Sequence, residues 1–192
     1  ALHKLCEEID FISIINRHGY KGGGPELGKI VEAMAIARNC DPFSYFQLQE
    51  WYSRSKLPFF LKLPSEELTY DVAIRALNYL QPENTIPMQV ALYENIRRVY
   101  GYECNRLDID LTSTYFEGQE CVLAEYGHPR GHSSDKLQIV VAFVVDQKGI
   151  LVTHKVWSGN RTDVKSLKPV DRCLRNEFKL DAPRVVDRGM AT

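Results

Sequence analysis

Two aspartates carry the strongest chemical signal in this sequence. Asp110 belongs to residues 107–111, where apolar and polar residues alternate as on a strand with one buried face, and Asp187 follows the short β-branched run at 184–186. The carboxyl ends of strands are where α/β sheets place their sites. Two carboxylates that converge from adjacent strands offer the oxygen ligands that Mg²⁺ prefers, and two such ions about 4 Å apart can promote phosphoryl displacement.

Spacing alone leaves a plainer alternative open. The chain has 25 acidic residues, so aspartates that only cap loops at strand ends are also expected.

Two further motifs are weaker. His128 and His132 have the spacing of zinc ligands on a helix, but the Gly, Pro and Ser around them predict a loop. Residues 23–29 match a phosphate-binding loop, yet Ile30 replaces the hydroxyl that Mg²⁺ needs and Pro25 removes an N–H group.

The first hundred residues have the period of helices. Apolar residues recur three and four apart in several segments, and Thr69, which precedes one such segment, is a plausible N-cap. Proline dipeptides separate these segments at 41–42, 57–58, 63–64, 81–82 and 86–87. The pattern predicts four or so short helices. Near residue 105 the period changes from 3.6 to 2, so we expect a helical N-terminal region at 1–104 and a second domain at 105–192.

The second domain has the pattern of an α/β layer. Residues 137–146 are continuously apolar in their middle, as in a central strand covered on both faces, and a turn at 147–149 leads to a hairpin partner at 150–157. Thr162 can cap a helix whose apolar positions are Val164, Leu167, Val170, Leu174 and Phe178. The strand at 184–186 follows. The predicted fold class is α/β, with helices packed on a mixed sheet.

The second domain also carries a family resemblance. Residues 110–118, DLTSTYFEG, closely resemble the first catalytic motif of DDE transposases of the insertion-sequence-four group. Further matches follow in that family's order, at 131–133, Asp135, Gln138, 140–150, 159–163 and 185–191. The resemblance is strong over about residues 105–192 and looser over the helical region.

The resemblance implies a ribonuclease H-like mixed sheet preceded by a helical region. It also implies that Asp110 on the first strand and Asp187 after the fourth are catalytic residues and ligands of two Mg²⁺ or Mn²⁺ ions. Together with their placement at strand ends, this resemblance leads us to expect that the two carboxylates lie within about 8 Å of each other and share a metal site. DNA at the ends of an insertion sequence would be cut, and the freed 3′-hydroxyl would attack target DNA. The family's third acid is a glutamate on a later helix, and none of residues 188–192 is acidic. We therefore expect an incomplete sheet in a C-terminally truncated chain that is inactive alone.

The expected partner is DNA, both transposon ends and target. Net charge is −1, yet residues 126–192 carry 12 basic and 7 acidic residues, which fits either a phosphate-facing patch or solvated surface charge. The predicted DNA contacts are Arg130, His132, Lys136, Arg161 and Arg188. A homodimer is a candidate form of the active complex. The alternative function is a non-catalytic DNA-binding or assembly remnant of a transposase.

No membrane association is expected. The longest apolar run, at 139–145, has seven residues, whereas a bilayer-spanning helix needs about 20. The five cysteines include no C-x-x-C pair, which favours reduced thiols in a cytoplasmic protein.

Overall fold

The computed structural model describes residues 1–19, 22–41, 43–116, 118, 120–127 and 136–188. The chain divides into two compact units, Ala1–Gly101 and Tyr102–Thr192.

The first unit is helical. Its α-helices are α1 (Leu2–Glu8), α2 (Phe11–His18), α3 (Leu27–Cys40), α4 (Leu48–Arg54), α5 (Leu57–Leu61), α6 (Tyr70–Leu77) and α7 (Pro82–Tyr100), with 3₁₀ turns at Tyr45–Gln47 and Ser65–Glu67. The described residues therefore form seven helices where the periodicity predicted four or so. Four of the seven have seven or eight residues and one has five, too few turns to establish a clear period in the sequence.

Two local predictions for this unit had different outcomes. Thr69 is the N-cap of α6, and its side chain accepts a hydrogen bond from the Val72 N–H at 3.3 Å, as predicted. The predicted break at 86–87 is wrong, because α7 continues through Pro87. Buried Met88 and Tyr93 anchor the same helix, so packing outweighs the loss of one backbone hydrogen bond.

Gly28 explains part of the phosphate-loop pattern. It lies inside α3, and a Cβ at this position would come within 2.5 Å of the Ile12 carbonyl oxygen in α2. Its N–H donates to the Asn16 side chain at 2.7 Å. The glycine therefore permits close packing of two helices.

The second unit is built on one mixed sheet. Its elements are β1 (Leu107–Phe116), β2 (Glu125–Tyr126), β3 (Leu137–Asp146), β4 (Leu151–Ser158), α8 (Asp163–Asn176) and β5 (Arg184–Val186). Strand β3 pairs antiparallel with β1 on one side and with β4 and the short β2 on the other. Strand β5 pairs parallel with the free side of β1.

The predicted hairpin is confirmed, and Asp146 shapes its turn. The Asp146 carboxylate accepts hydrogen bonds from the N–H groups of Lys148 at 2.9 Å and Ile150 at 3.0 Å, and from the Tyr102 hydroxyl at 2.7 Å. Gly149 takes the positive φ of 76° that the turn requires. These three hydrogen bonds satisfy the buried carboxylate, so Asp146 has a structural role in the turn.

The two faces of this sheet differ, and we name them the covered face and the open face. The covered face carries Leu107, Ile109, Val140, Ala142 and Val144, all at most 4% exposed. Helix α8 lies over this face, since Asp171 in α8 pairs with Arg184 of β5, whose side chain shares that face, at 2.8 Å.

The open face carries apolar side chains that remain accessible. Phe143 is 42%, Val156 39% and Val185 53% exposed. Strand β3 is central, as predicted, but the prediction that it is covered on both faces is wrong for the residues that the structure describes. A continuous apolar run cannot show which of a strand's two faces lacks a covering layer.

Candidate metal and DNA site

The pairing of β1 with β5 brings the two singled-out aspartates together. In this parallel ladder Asp108 lies opposite Val185 and Ile109 lies opposite Val186. Asp110 is the next residue of β1, and Asp187 is the first residue after the end of β5, so a continuation of this register by one residue sets the two side by side. Neighbouring strands are about 4.8 Å apart.

Asp110 lies on the open face and is exposed to solvent. Its neighbours Ile109 and Leu111 point to the covered face, because side chains alternate along a strand. Its Oδ1 accepts a hydrogen bond from the Leu111 N–H at 2.8 Å. One carboxylate oxygen is thus held by the backbone, while no described residue donates a hydrogen bond to Oδ2.

Asp187 has a closely similar arrangement. It is exposed, and its Oδ1 accepts a hydrogen bond from the Arg188 N–H at 2.7 Å. Within the described ranges, neither Asp110 nor Asp187 forms an ion pair with a basic side chain. Two adjacent carboxylates without a compensating cation repel each other, and a divalent cation would relieve that repulsion.

Asp108 provides a contrast on the same face of β1. Its Oδ2 forms an ion pair with Arg106 Nη2 at 2.9 Å, and its partner across the ladder is Val185. This carboxylate is therefore already compensated and has an apolar neighbour. Charge balance distinguishes Asp110 from Asp108 as the candidate ligand.

The donor chemistry fits a hard divalent cation. Mg²⁺ is commonly held by one or two carboxylates together with waters and substrate phosphates. Asp110 and Asp187 supply two carboxylates in a solvent-accessible position. No cluster of three or more potential metal ligands occurs among the residues for which the structure gives positions.

His154 is a neighbour that sequence reasoning did not assign to the site. It lies opposite Phe143 in the β3–β4 ladder, and Phe143 lies opposite Asp110, so these three residues form one row across the open face. The histidine is two strands from Asp110, about 10 Å. Desolvation, with a smaller contribution from Lys155, lowers the pKa of His154 below its ordinary 6.5. The ring is therefore neutral near pH 7. Only the strand register could have revealed this placement, and the register depends on pairing between distant segments.

The predicted DNA contacts do not all converge on the aspartates. Arg188 adjoins Asp187, so it lies beside the pair. Lys136 precedes β3, seven residues from the position opposite Asp110, which corresponds to about 24 Å along the strand. Arg161 places its guanidinium 5.3 Å from the centre of the Trp157 ring, a side chain of the covered face. Arg130 and His132 lie outside the described residues.

Comparisons with known proteins gave a structural likeness without a sequence match. No family profile matches the chain, and no curated protein sequence matches it. The chain is similar to the Mos1 transposase in its paired-end complex with the left transposon end, at 12% identity and a TM-score of 0.30. The match covers 90% of this chain and 57% of that transposase chain. The chain thus spans little more than half the length of that protein.

Within the described part of the chain, no helix combines the length and the hydropathy needed to cross a bilayer.

Proposed function

We propose that this chain is part of a DNA-cutting transposase of the insertion-sequence type, with Asp110 and Asp187 as two of its metal-binding catalytic acids. The observation that carries the proposal is the register of β1 and β5, in which the last residue before Asp187 is paired with the residue before Asp110. The sequence motifs single out the same two residues.

The strand order supports a ribonuclease H-like sheet. If the two-residue β2 is set aside, β5 is the fourth strand, and Asp187 follows it as the family resemblance implies. Three antiparallel strands are followed by a helix and by a strand parallel to the first. The motif residues at 110–116 lie on β1, and those at 140–150 cover most of β3 and its turn.

The proposed chemistry assigns separate tasks to the residues of the site. The two carboxylates would hold Mg²⁺ or Mn²⁺, and each has one oxygen fixed by the following backbone N–H. When bound, the metal would neutralise charge on the scissile phosphate and favour ionisation of the attacking oxygen. Arg188, the residue after Asp187, would contact a phosphate of the bound DNA. The open face leaves room for a DNA strand to approach.

The test is a DNA-nicking assay on the longest reading frame that contains these residues. The substrate is a duplex carrying the element ends, and the reaction is started with Mg²⁺ or Mn²⁺. We expect metal-dependent nicking that falls to background in Asp110→Asn and Asp187→Asn. Asp108→Asn, which changes a compensated carboxylate on the same face, should retain most of the activity.

Two results would contradict the proposal. Equal nicking by wild type and Asp110→Asn would show that the acid assignment is wrong. Full-length protein that binds the element ends without cutting them under any divalent cation would favour the non-catalytic remnant instead.

Sedimentation of the protein with and without DNA would test the proposed homodimeric complex.

A further inference from the structure

Helix α8 presents a row of basic side chains to solvent. Lys165, Lys168, Arg172 and Arg175 are all exposed, and their spacing of three, four and three residues follows one side of the helix. At 100° per residue, these positions fall within a sector of about 80°. At 1.5 Å per residue, they extend over about 15 Å. We name these four residues the basic stripe.

The basic stripe points away from the sheet. The buried residues of α8 include Val170, Cys173 and Leu174, whose mean direction is about 180° from that of the stripe. Since these residues pack toward the covered face, the stripe forms the outer surface of the domain. It therefore lies on the opposite side of the sheet from Asp110.

The stripe is only partly compensated by acidic residues. Arg175 is bound by Asp171 and by Asp181. By contrast, no described carboxylate forms an ion pair with Lys165, Lys168 or Arg172. Ordinary exposed helices intersperse charges of both signs. Three cations in one row without an ion pair to a described carboxylate make a positive surface.

An open groove adjoins the stripe and has the same charge. Its volume is about 590 Å³, and it runs beside α8 toward β5. The lining includes Lys168, Arg172, Arg175 and Arg184, with Asp171 as the one lining carboxylate among the described residues. Such a groove favours a polyanion over a neutral or cationic ligand.

We infer that the basic stripe binds the phosphate backbone of duplex DNA, as a contact surface separate from the site of Asp110 and Asp187. The choice of DNA rests on the proposed function, and the existence of a polyanion surface rests on the charges alone. Duplex DNA carries one negative charge per about 1.7 Å of its axis, so 15 Å of basic helix faces several phosphates. Because stripe and aspartates lie on opposite sides of the sheet, the stripe contacts a different stretch of DNA from the one that is cut.

The test measures the salt dependence of DNA binding by the 192-residue chain. The probe is a fluorescein-labelled duplex of about 30 base pairs. At about 1.7 Å of duplex per charge, it is much longer than a 15 Å contact. Binding is measured by fluorescence anisotropy at salt concentrations from low to physiological. The stripe variant is Lys165→Gln, Lys168→Gln and Arg172→Gln combined. The matched control is Lys4→Gln, Arg17→Gln and Lys56→Gln, which removes two lysines and one arginine from exposed positions of the helical unit. A charge-conserving variant, Lys165→Arg, Lys168→Arg and Arg172→Lys, tests whether changing these side chains without changing their charge affects DNA binding.

We expect the log–log slope of affinity against salt to become shallower by up to about 2.7 in the stripe variant, at about 0.9 per phosphate contact. The control and charge-conserving variants should keep the wild-type slope. Circular dichroism would establish that all variants fold. An unchanged slope in a folded stripe variant, with wild type still binding DNA, would overturn the stripe and leave the proposed function standing. Wild type that binds no duplex at low salt would overturn both.

Discussion

Removing one of the paired aspartates should change both the stability of the protein and its response to Mg²⁺. Asp110 and Asp187 are adjacent, exposed and unpaired with described cations. Taking about 6 Å between the charges and a dielectric near that of water, their repulsion is about 0.7 kcal/mol at low salt. Screening at physiological ionic strength reduces this by about half. Asp110→Asn should therefore stabilise the metal-free protein slightly, and Asp187→Asn should do the same.

The response to metal should be larger than this repulsion. A cation that binds only the folded state with a dissociation constant of about 1 mM stabilises it by about 1.4 kcal/mol at about 10 mM. For a unit of this size that free energy corresponds to a rise of several degrees in Tm. Each single variant loses one of the two carboxylate ligands, so most of this rise should disappear in Asp110→Asn and in Asp187→Asn.

The measurement is thermal unfolding in EDTA and in about 10 mM Mg²⁺ at low salt, for wild type, both single variants and the double variant. The double variant should gain less stability in EDTA than the sum of the single variants, because the repulsion can be removed only once. Asp108→Asn, whose carboxylate pairs with Arg106, is the control and should keep the Mg²⁺ response. A wild-type Mg²⁺ shift that survives intact in Asp110→Asn would refute the shared site.

Three further predictions concern the interior of the two units. Asp146→Ala leaves the donors of Lys148, Ile150 and Tyr102 without their acceptor. Chemical denaturation should therefore show that the free energy of unfolding falls by about 3 kcal/mol. A decrease below about 1 kcal/mol would contradict the structural role of Asp146 in this turn. Burial raises the pKa of Glu32 above 4.5, a shift opposed by the His3 hydrogen bond, so the folded state holds that proton more tightly. The free energy of unfolding should accordingly fall as pH rises from about 4.5 through the raised pKa, and Glu32→Gln should flatten this slope in urea titrations. Burial and the nearby Glu32 raise the pKa of Cys6 to about 11. At about pH 8, iodoacetamide should therefore modify Cys6 more slowly than the exposed Cys40. Mass spectrometry of the modified peptides measures the two rates.

The sequence was most informative where one local pattern determined one local structure. Alternation at 107–111 predicted β1, the apolar run predicted a central β3, and the position of Thr69 before a helical period predicted its cap. The period of a strand and the position of a helix cap can be recognised from residues close in the chain. The short helices α1, α4 and α5 were not predicted, because their formation depends on packing with distant residues.

The candidate site was only partly predictable for the same reason. Asp110 and Asp187 are 77 positions apart in the chain, and their adjacency follows from the pairing of β1 with β5. The family motifs pointed to both residues, but composition and spacing alone could not select them among 25 acids. Lys136 lies away from the aspartates because of the length of β3, and Arg161 does so because it contacts Trp157. Neither feature can be recognised from the local density of basic residues in the sequence.

The pattern that stabilises the sheet also fixes the position of the candidate acids. Leu107 and Ile109 are buried on the covered face, so Asp108 and Asp110 must lie on the open face. A slip of one residue in β1 would bury both carboxylates and expose both apolar side chains, at a cost of about 1.5 to 3 kcal/mol for each apolar residue before the carboxylates are counted. In β5, Val186 pairs with Ile109 and so sets Asp187 beside Asp110. The geometry of the acids is therefore maintained by hydrophobic burial, even though the carboxylates themselves contribute repulsion.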